Sequence, residues 1–318
     1  MINQSRSADA AESLSLLQFR TARQPNRPSR DASSILTQLS MSQMTTCRWS
    51  FLEDVMHYQD AGINRMAVWR PKLCDFGEER CIELVRDAGI NVTSLGWAGG
   101  FTGGNGHTFD EAVEDARDAV LTAAALGADS LTIISGHQHG HIHSHARRVL
   151  VDGIAAILDL AGEYGVTLAL QPMHRMFREE WTFLNTLDQT LEILGHFDHP
   201  YLRMAFGTYH LWQEPRLNAR LREIVPLIAS VQISDWRTPR CDNDRVLPGD
   251  GIIPLAEILA TLDQYGYGGP YELEVWSAEL WKRDHSELLT QGRDRLVSLF
   301  EGIAPIEDPA VSSPTTGP

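Results

Sequence analysis

The sequence predicts a single α/β domain of the (β/α)8 TIM-barrel type, and three observations predict it. Short apolar runs alternate with longer segments of helical period through about 270 of the 318 residues. The strand-plus-helix unit recurs roughly every 33 residues, eight times over, which is the spacing of a closed barrel. Gly62, Gly89, Gly127, Gly165 and Gly266 each stand just before an apolar run, where a helix end favours a residue that takes positive φ without a Cβ penalty.

In chain order, the first strand is expected over residues 35–39, and the helix after it opens with Ser50 and Glu53 at capping-box spacing. Strands two and three are expected over 65–69 and 92–95. The glycine-rich run after them, WAGGFTGGNG at 97–106, has neither G-x-G-x-x-G spacing nor G-K-[ST], so it reads as a rim loop and no nucleotide cofactor is expected. A second capping box, Thr108 with Glu111, leads to strand four over 130–134 and strand five over 167–171. Thr186 with Gln189 opens a further helix, and the last three strands are expected over 202–206, 229–234 and 271–275.

The barrel domain is expected to run over 33–303. Residues 1–32, rich in Arg, Ser and Ala, and the Pro/Ser/Thr-rich residues 304–318 bury too little apolar surface to offset the entropy of ordering, and are expected to be flexible. Asp9 and Glu12 argue against a transit peptide, and no apolar stretch suits a secretory signal. Composition is that of a soluble globular chain, with 43% apolar and 22% charged residues. The longest nearly apolar run, at 119–128, is about half of what a bilayer crossing needs, so no membrane partner is expected. A net charge of -15 repels a phosphate backbone, which excludes general nucleic-acid binding. Four scattered cysteines without a C-x-x-C pair fit a reducing cytoplasm.

Barrel function gathers where strands end, so the candidates are the polar residues there. They are Gln171 and His174 after strand five, Thr208 and His210 after strand six, Gln232 and Asp235 at strand seven, Arg245 in the loop beyond, and Glu274 on strand eight. A carboxylate inside a parallel strand is costly to bury. Glu272 and Glu274 share one face of YELEV and both can point into the barrel, with Glu274 nearer the rim.

At these positions the chain resembles the sugar phosphate isomerase/epimerase superfamily, whose xylose isomerase-like barrels include hydroxypyruvate isomerases and ketose 3-epimerases. The resemblance rests on LALQPMH (168–174), FGTYHLW (206–212), VQISD (231–235) with RVLPGDGIIP (245–254), and YELEVWS (271–277). It implies a small sugar or hydroxy-carbonyl ligand, isomerisation or epimerisation, and a divalent metal (Mn, Mg or Co) held by Glu, Asp, His or Gln, and Glu. Those ligands fall on Gln171, Gly207, Gln232 and Glu274. Glu274 and Gln232 remain as metal-ligand candidates, but Gln171 and Gly207 supply no carboxylate, so hard cations are expected to bind weakly. The family's second proton-transfer group is lost at Gln171. The resemblance assigns catalysis to Glu274 and His210 and substrate contact to Arg245, with His174, Gln171 and Trp212 as further substrate-binding candidates. A non-catalytic carbohydrate-binding or regulatory pseudoenzyme is the alternative. A zinc AP endonuclease on the same barrel needs more metal ligands and a basic face. A homo-oligomer is compatible with all of these.

Two further features stand near the rim. His137, His139, His141, His143 and His145 alternate after strand four; imidazoles suit Zn, Co, Ni and Cu, but no carboxylates nearby in sequence support the rings, and a solvated loop is expected. Trp69, Trp97, Trp181, Trp212, Trp236 and Trp276 flank strand ends, where rings either pack loops or stack on sugar faces.

Overall fold

The computed structural model describes residues 32–241 and 243–303, so the segments expected to be flexible lie, Ala32 apart, outside the described residues. Eight parallel strands close into one barrel in sequence order. They are β1 (Leu39–Ser42), β2 (Arg65–Trp69), β3 (Asn91–Gly99), β4 (Ser130–Ile134), β5 (Thr167–Leu170), β6 (Leu202–Gly207), β7 (Ile228–Ile233) and β8 (Tyr271–Leu273). The seam is closed by β1 on β8, with Leu39, Ser40 and Met41 opposite Tyr271, Glu272 and Leu273.

Around the barrel run α1 (Ala32–Leu36), α2 (Phe51–Asp60), α3 (Arg70–Phe76), α4 (Glu78–Ala88), α5 (Phe109–Leu126), α6 (His143–Glu163), α7 (Leu187–Phe197), α8 (Thr208–Leu211), α9 (Leu217–Ile224), α10 (Leu255–Gln264) and α11 (His285–Glu301). All three expected capping boxes form, at Ser50, Thr108 and Thr186. The five helix-ending glycines all take positive φ, between 65° and 81°. Among the described residues, no helix is long and apolar enough to cross a membrane.

One expected strand is corrected. Residues 35–39 are not a strand: the helix α1 ends at Leu36 and β1 begins at Leu39. Ile35 is buried in the main core, which explains its apolar character without a strand. The true strand, LSMS, reads as half polar because the barrel interior there is polar. Ser40 Oγ lies 2.8 Å from Thr93 Oγ1, which in turn donates to Glu272 Oε1 at 2.8 Å. Glu272 is fully buried, and burial pushes its carboxyl up to about 7.

A second buried charge ties the loops after β1 and β2. Lys72 Nζ donates to Asp54 Oδ2 at 2.5 Å and to the Thr46 carbonyl at 3.0 Å, while Thr46 Oγ1 donates to Asp54 Oδ1 at 2.6 Å. Burial pushes both groups toward their neutral forms, Asp54 up and Lys72 down, and their mutual attraction opposes both shifts.

Candidate functional site

Five of the sequence candidates meet at the C-terminal mouth. Gln171 follows β5, Gln232 sits in β7 in register with Gly207 at the end of β6, and Glu274 follows β8, its N–H held by the Ile233 carbonyl at 3.0 Å. His210 rides on α8, and Arg245 comes from the long loop after β7. All five side chains are buried.

Their contacts form two connected groups. Gln171 Nε2 donates to Gln232 Oε1 at 2.5 Å. Arg245 Nη1 donates to Glu274 Oε1 at 2.7 Å, and Arg245 Nη2 lies 3.2 Å from His210 Nε2. The other ring nitrogen of His210, Nδ1, lies 3.3 Å from the backbone N–H of His174. Burial first, then the Arg245 charge, push the His210 pKa well below the ordinary imidazole range, so the ring is neutral. A neutral ring has one lone-pair nitrogen, so it accepts from one of its two N–H neighbours at a time.

The residues do not fit a divalent metal. Glu274 is already paired with a guanidinium, Gln232 Oε1 already accepts from Gln171, and Gly207 offers no ligand. A Cβ at 207 would stand 2.8 Å from His210 Cδ2 and 3.5 Å from Gln232 Oε1, so the space of the missing aspartate is filled. Among the described residues, no group of three or more His, Cys, Asp or Glu side chains comes together in a way that could hold a metal ion.

What the mouth does offer is unpaired hydrogen-bonding capacity. Gln171 Oε1, Gln43 Nε2, Trp69 Nε1 and Trp276 Nε1 are buried without a hydrogen-bond partner among the described residues. Orphaned buried polar atoms are rare and mark places where a ligand or water completes the bonding. The sequence pattern does not point to Gln43, because the apolar run at 35–39 reads as the first strand; with β1 ending at Ser42, Gln43 is the residue at its mouth.

The other candidates have different surroundings. The His174 ring reaches Gln213 Oε1 at 3.0 Å and meets Trp236 edge-on, and burial lowers its pKa. Trp212 packs on Trp236 and lines a cavity of about 260 Å³ with Glu214, Leu217, Pro254 and Ile258. Asp235 accepts four backbone N–H bonds, from Trp236, Gly249, Gly251 and Ile253, at 2.8 to 3.0 Å; it pins the loop that carries Arg245. In the histidine run, His137 and His141 bind the carbonyls of Gly104 and Thr102 on the glycine-rich loop. Trp97, near the C-terminal end of β3, and Trp181 and Trp276, from the loops after β5 and β8, touch one another with ring centroids 5.2, 5.9 and 6.1 Å apart.

Comparison with known proteins supports the same barrel. The family model described as xylose isomerase-like TIM barrel matches residues 57–298. A putative hydroxypyruvate isomerase from Xenopus laevis is 27% identical over 168 residues, 50% of this chain and 60% of the relative. The L-ribulose-5-phosphate 3-epimerase UlaE of Escherichia coli O1:K1 / APEC is 26% identical over 171 residues, 52% of this chain and 57% of that protein. The chain thus spans less than two thirds of either relative's length. The crystal structure of protein SMc04130 from Sinorhizobium meliloti 1021 superposes with a TM-score of 0.78 at 32% identity, covering 83% of this chain and 98% of that one.

Proposed function

The chain belongs to the xylose isomerase-like TIM barrel family, and from that membership we propose that it is an isomerase- or epimerase-like protein binding a small sugar or hydroxy-carbonyl compound at its barrel mouth. The observation that carries this reading is the convergence of Gln171, His210, Gln232, Arg245 and Glu274, with buried unpaired donors and an acceptor beside them. Such groups suit the alternating hydroxyl and carbonyl oxygens of a sugar-like ligand.

In this reading Glu274 is the acid–base group. It takes the proton from the hydroxyl-bearing carbon beside the ligand carbonyl, leaving an enediolate; the hydroxyl proton passes to the former carbonyl oxygen, and Glu274 returns its proton to the former carbonyl carbon. One carboxylate suffices if the same group removes and delivers the proton. His210, neutral, hydrogen-bonds a ligand hydroxyl; the two glutamine amides orient further hydroxyls.

A second reading, non-catalytic carbohydrate binding, is favoured by one specific contact: Gln171, where the family resemblance implies a carboxylate opposite Glu274, is an amide bonded to another amide. Calorimetric titration with hydroxypyruvate and L-ribulose 5-phosphate tests binding, and NMR detection of solvent deuterium entering the carbon beside the carbonyl tests proton transfer. Enzyme function predicts exchange that Glu274→Gln lowers by roughly a hundredfold or more with binding retained. Binding without exchange in the wild type selects the second reading, and no binding of either compound overturns both.

A further inference from the structure

We propose that the Arg245 guanidinium is the resident cation of this mouth, occupying in charge the role of the divalent metal that the family resemblance implies, so that ligand recognition here is independent of metal. The inference rests on the mouth being a binding site, but its test does not.

Three observations carry it. The guanidinium contacts the one carboxylate left at the matched positions, Nη1 to Glu274 Oε1 at 2.7 Å, and reaches His210 with Nη2. It is held still: its Cζ lies 4.7 Å from the centroid of the Tyr209 ring, and the Tyr209 hydroxyl donates to Asp244 Oδ1 at 2.8 Å. Asp244, itself buried, is fixed by the Cys241 N–H at 2.6 Å. Finally, charge is balanced: Arg245 and Glu274 cancel, and His210 is neutral, so nothing in the group calls for a further cation. A divalent ion at Glu274 would have to sit against a positive charge already in contact with the same carboxylate.

A fixed guanidinium selects ligands differently from a metal. After its bonds to Glu274 and His210, each Nη keeps a second N–H, and a planar fork of this kind matches two coplanar oxygens. That is the geometry of an α-hydroxy-carbonyl group and, more closely, of the enediolate formed from it. Asp244 and Tyr209 are then positioning residues, acting through Arg245.

The test is a cation exchange read by calorimetry with Mn²⁺ alone, in the full-length wild type, Gln171→Glu, and Gln171→Glu with Arg245→Met. The expected results are no stoichiometric Mn²⁺ in the wild type and an affinity at least roughly tenfold higher in the double variant than in Gln171→Glu, because only there are two carboxylates left without a cation. Stoichiometric Mn²⁺ binding by the wild type, or equal affinities in the two variants, would overturn the proposal. If that double variant does not fold, Gln171→Glu with Arg245→Gln, which removes the charge and keeps a polar side chain, takes its place with the same expected and overturning results. None of these outcomes depends on whether hydroxypyruvate or a sugar phosphate binds, so failure of the proposed function remains a separate result.

Discussion

At Gly207 the absence of one side chain decides what its neighbours do. His210 and Gln232 close over the position, and an added Cβ meets the imidazole at 2.8 Å. Gly207→Asp alone is therefore expected to push His210 out of line and to lower stability by about 1–3 kcal/mol, as overpacking does. Urea denaturation measures the cost, and a variant as stable as the wild type would show that the ring yields freely. That Gln171 and Gly207 stand where the resemblance implies carboxylates is plain in the sequence, because each lies inside a recognisable motif. The partnership of Arg245 with Glu274 is not, because 29 residues and a loop pinned by Asp235 separate them. The buttress behind Arg245, Tyr209 on Asp244, is equally silent in one dimension.

Among the elements, legibility follows how many faces are apolar. β2 and β4, at Arg65–Trp69 and Ser130–Ile134, are recognised to the residue, because their runs carry apolar side chains at most positions. β1 is missed because its inward face is Ser40, set against Thr93 and Glu272. That hydroxyl-lined interior makes a pH prediction. Glu272 titrates at about 7 when folded against 4.5 in its ordinary state, so the folded chain keeps a proton that the unfolded chain releases across that window. The stabilisation is complete below about 4.5 and is lost as pH rises through about 7. Glu272→Gln keeps an acceptor for Thr93 and removes the titration. It should gain on the wild type by up to about 3 kcal/mol between pH roughly 4.5 and 8.5. Parallel urea curves at the two pH values test this, and an unchanged difference would place the Glu272 carboxyl in the ordinary range.

For the whole molecule, the -15 charge and the closed seam set how ligands arrive and what can be watched as they do. A net negative field slows an anionic visitor, and salt screens it. The association rate of any phosphorylated sugar that the mouth takes up under the proposed function should therefore rise between about 20 and 200 mM NaCl, whereas a neutral ketose should show no such dependence. Stopped-flow measurement separates them; a rate that falls with salt would mean that a local positive patch steers the approach. The eightfold closure was legible because the helix-ending glycines and capping boxes mark its period, whereas the packing of one loop on another was not, since loop contacts have no period. One such packing carries its own reporter. Trp97, near the end of β3, and Trp181 and Trp276, on the loops after β5 and β8, lie within 6.1 Å of one another, close enough for their excited states to interact. Any ligand that parts those loops changes the near-ultraviolet dichroism and the colour of the emitted light, so the protein can announce an occupant without a label and before its chemistry is known.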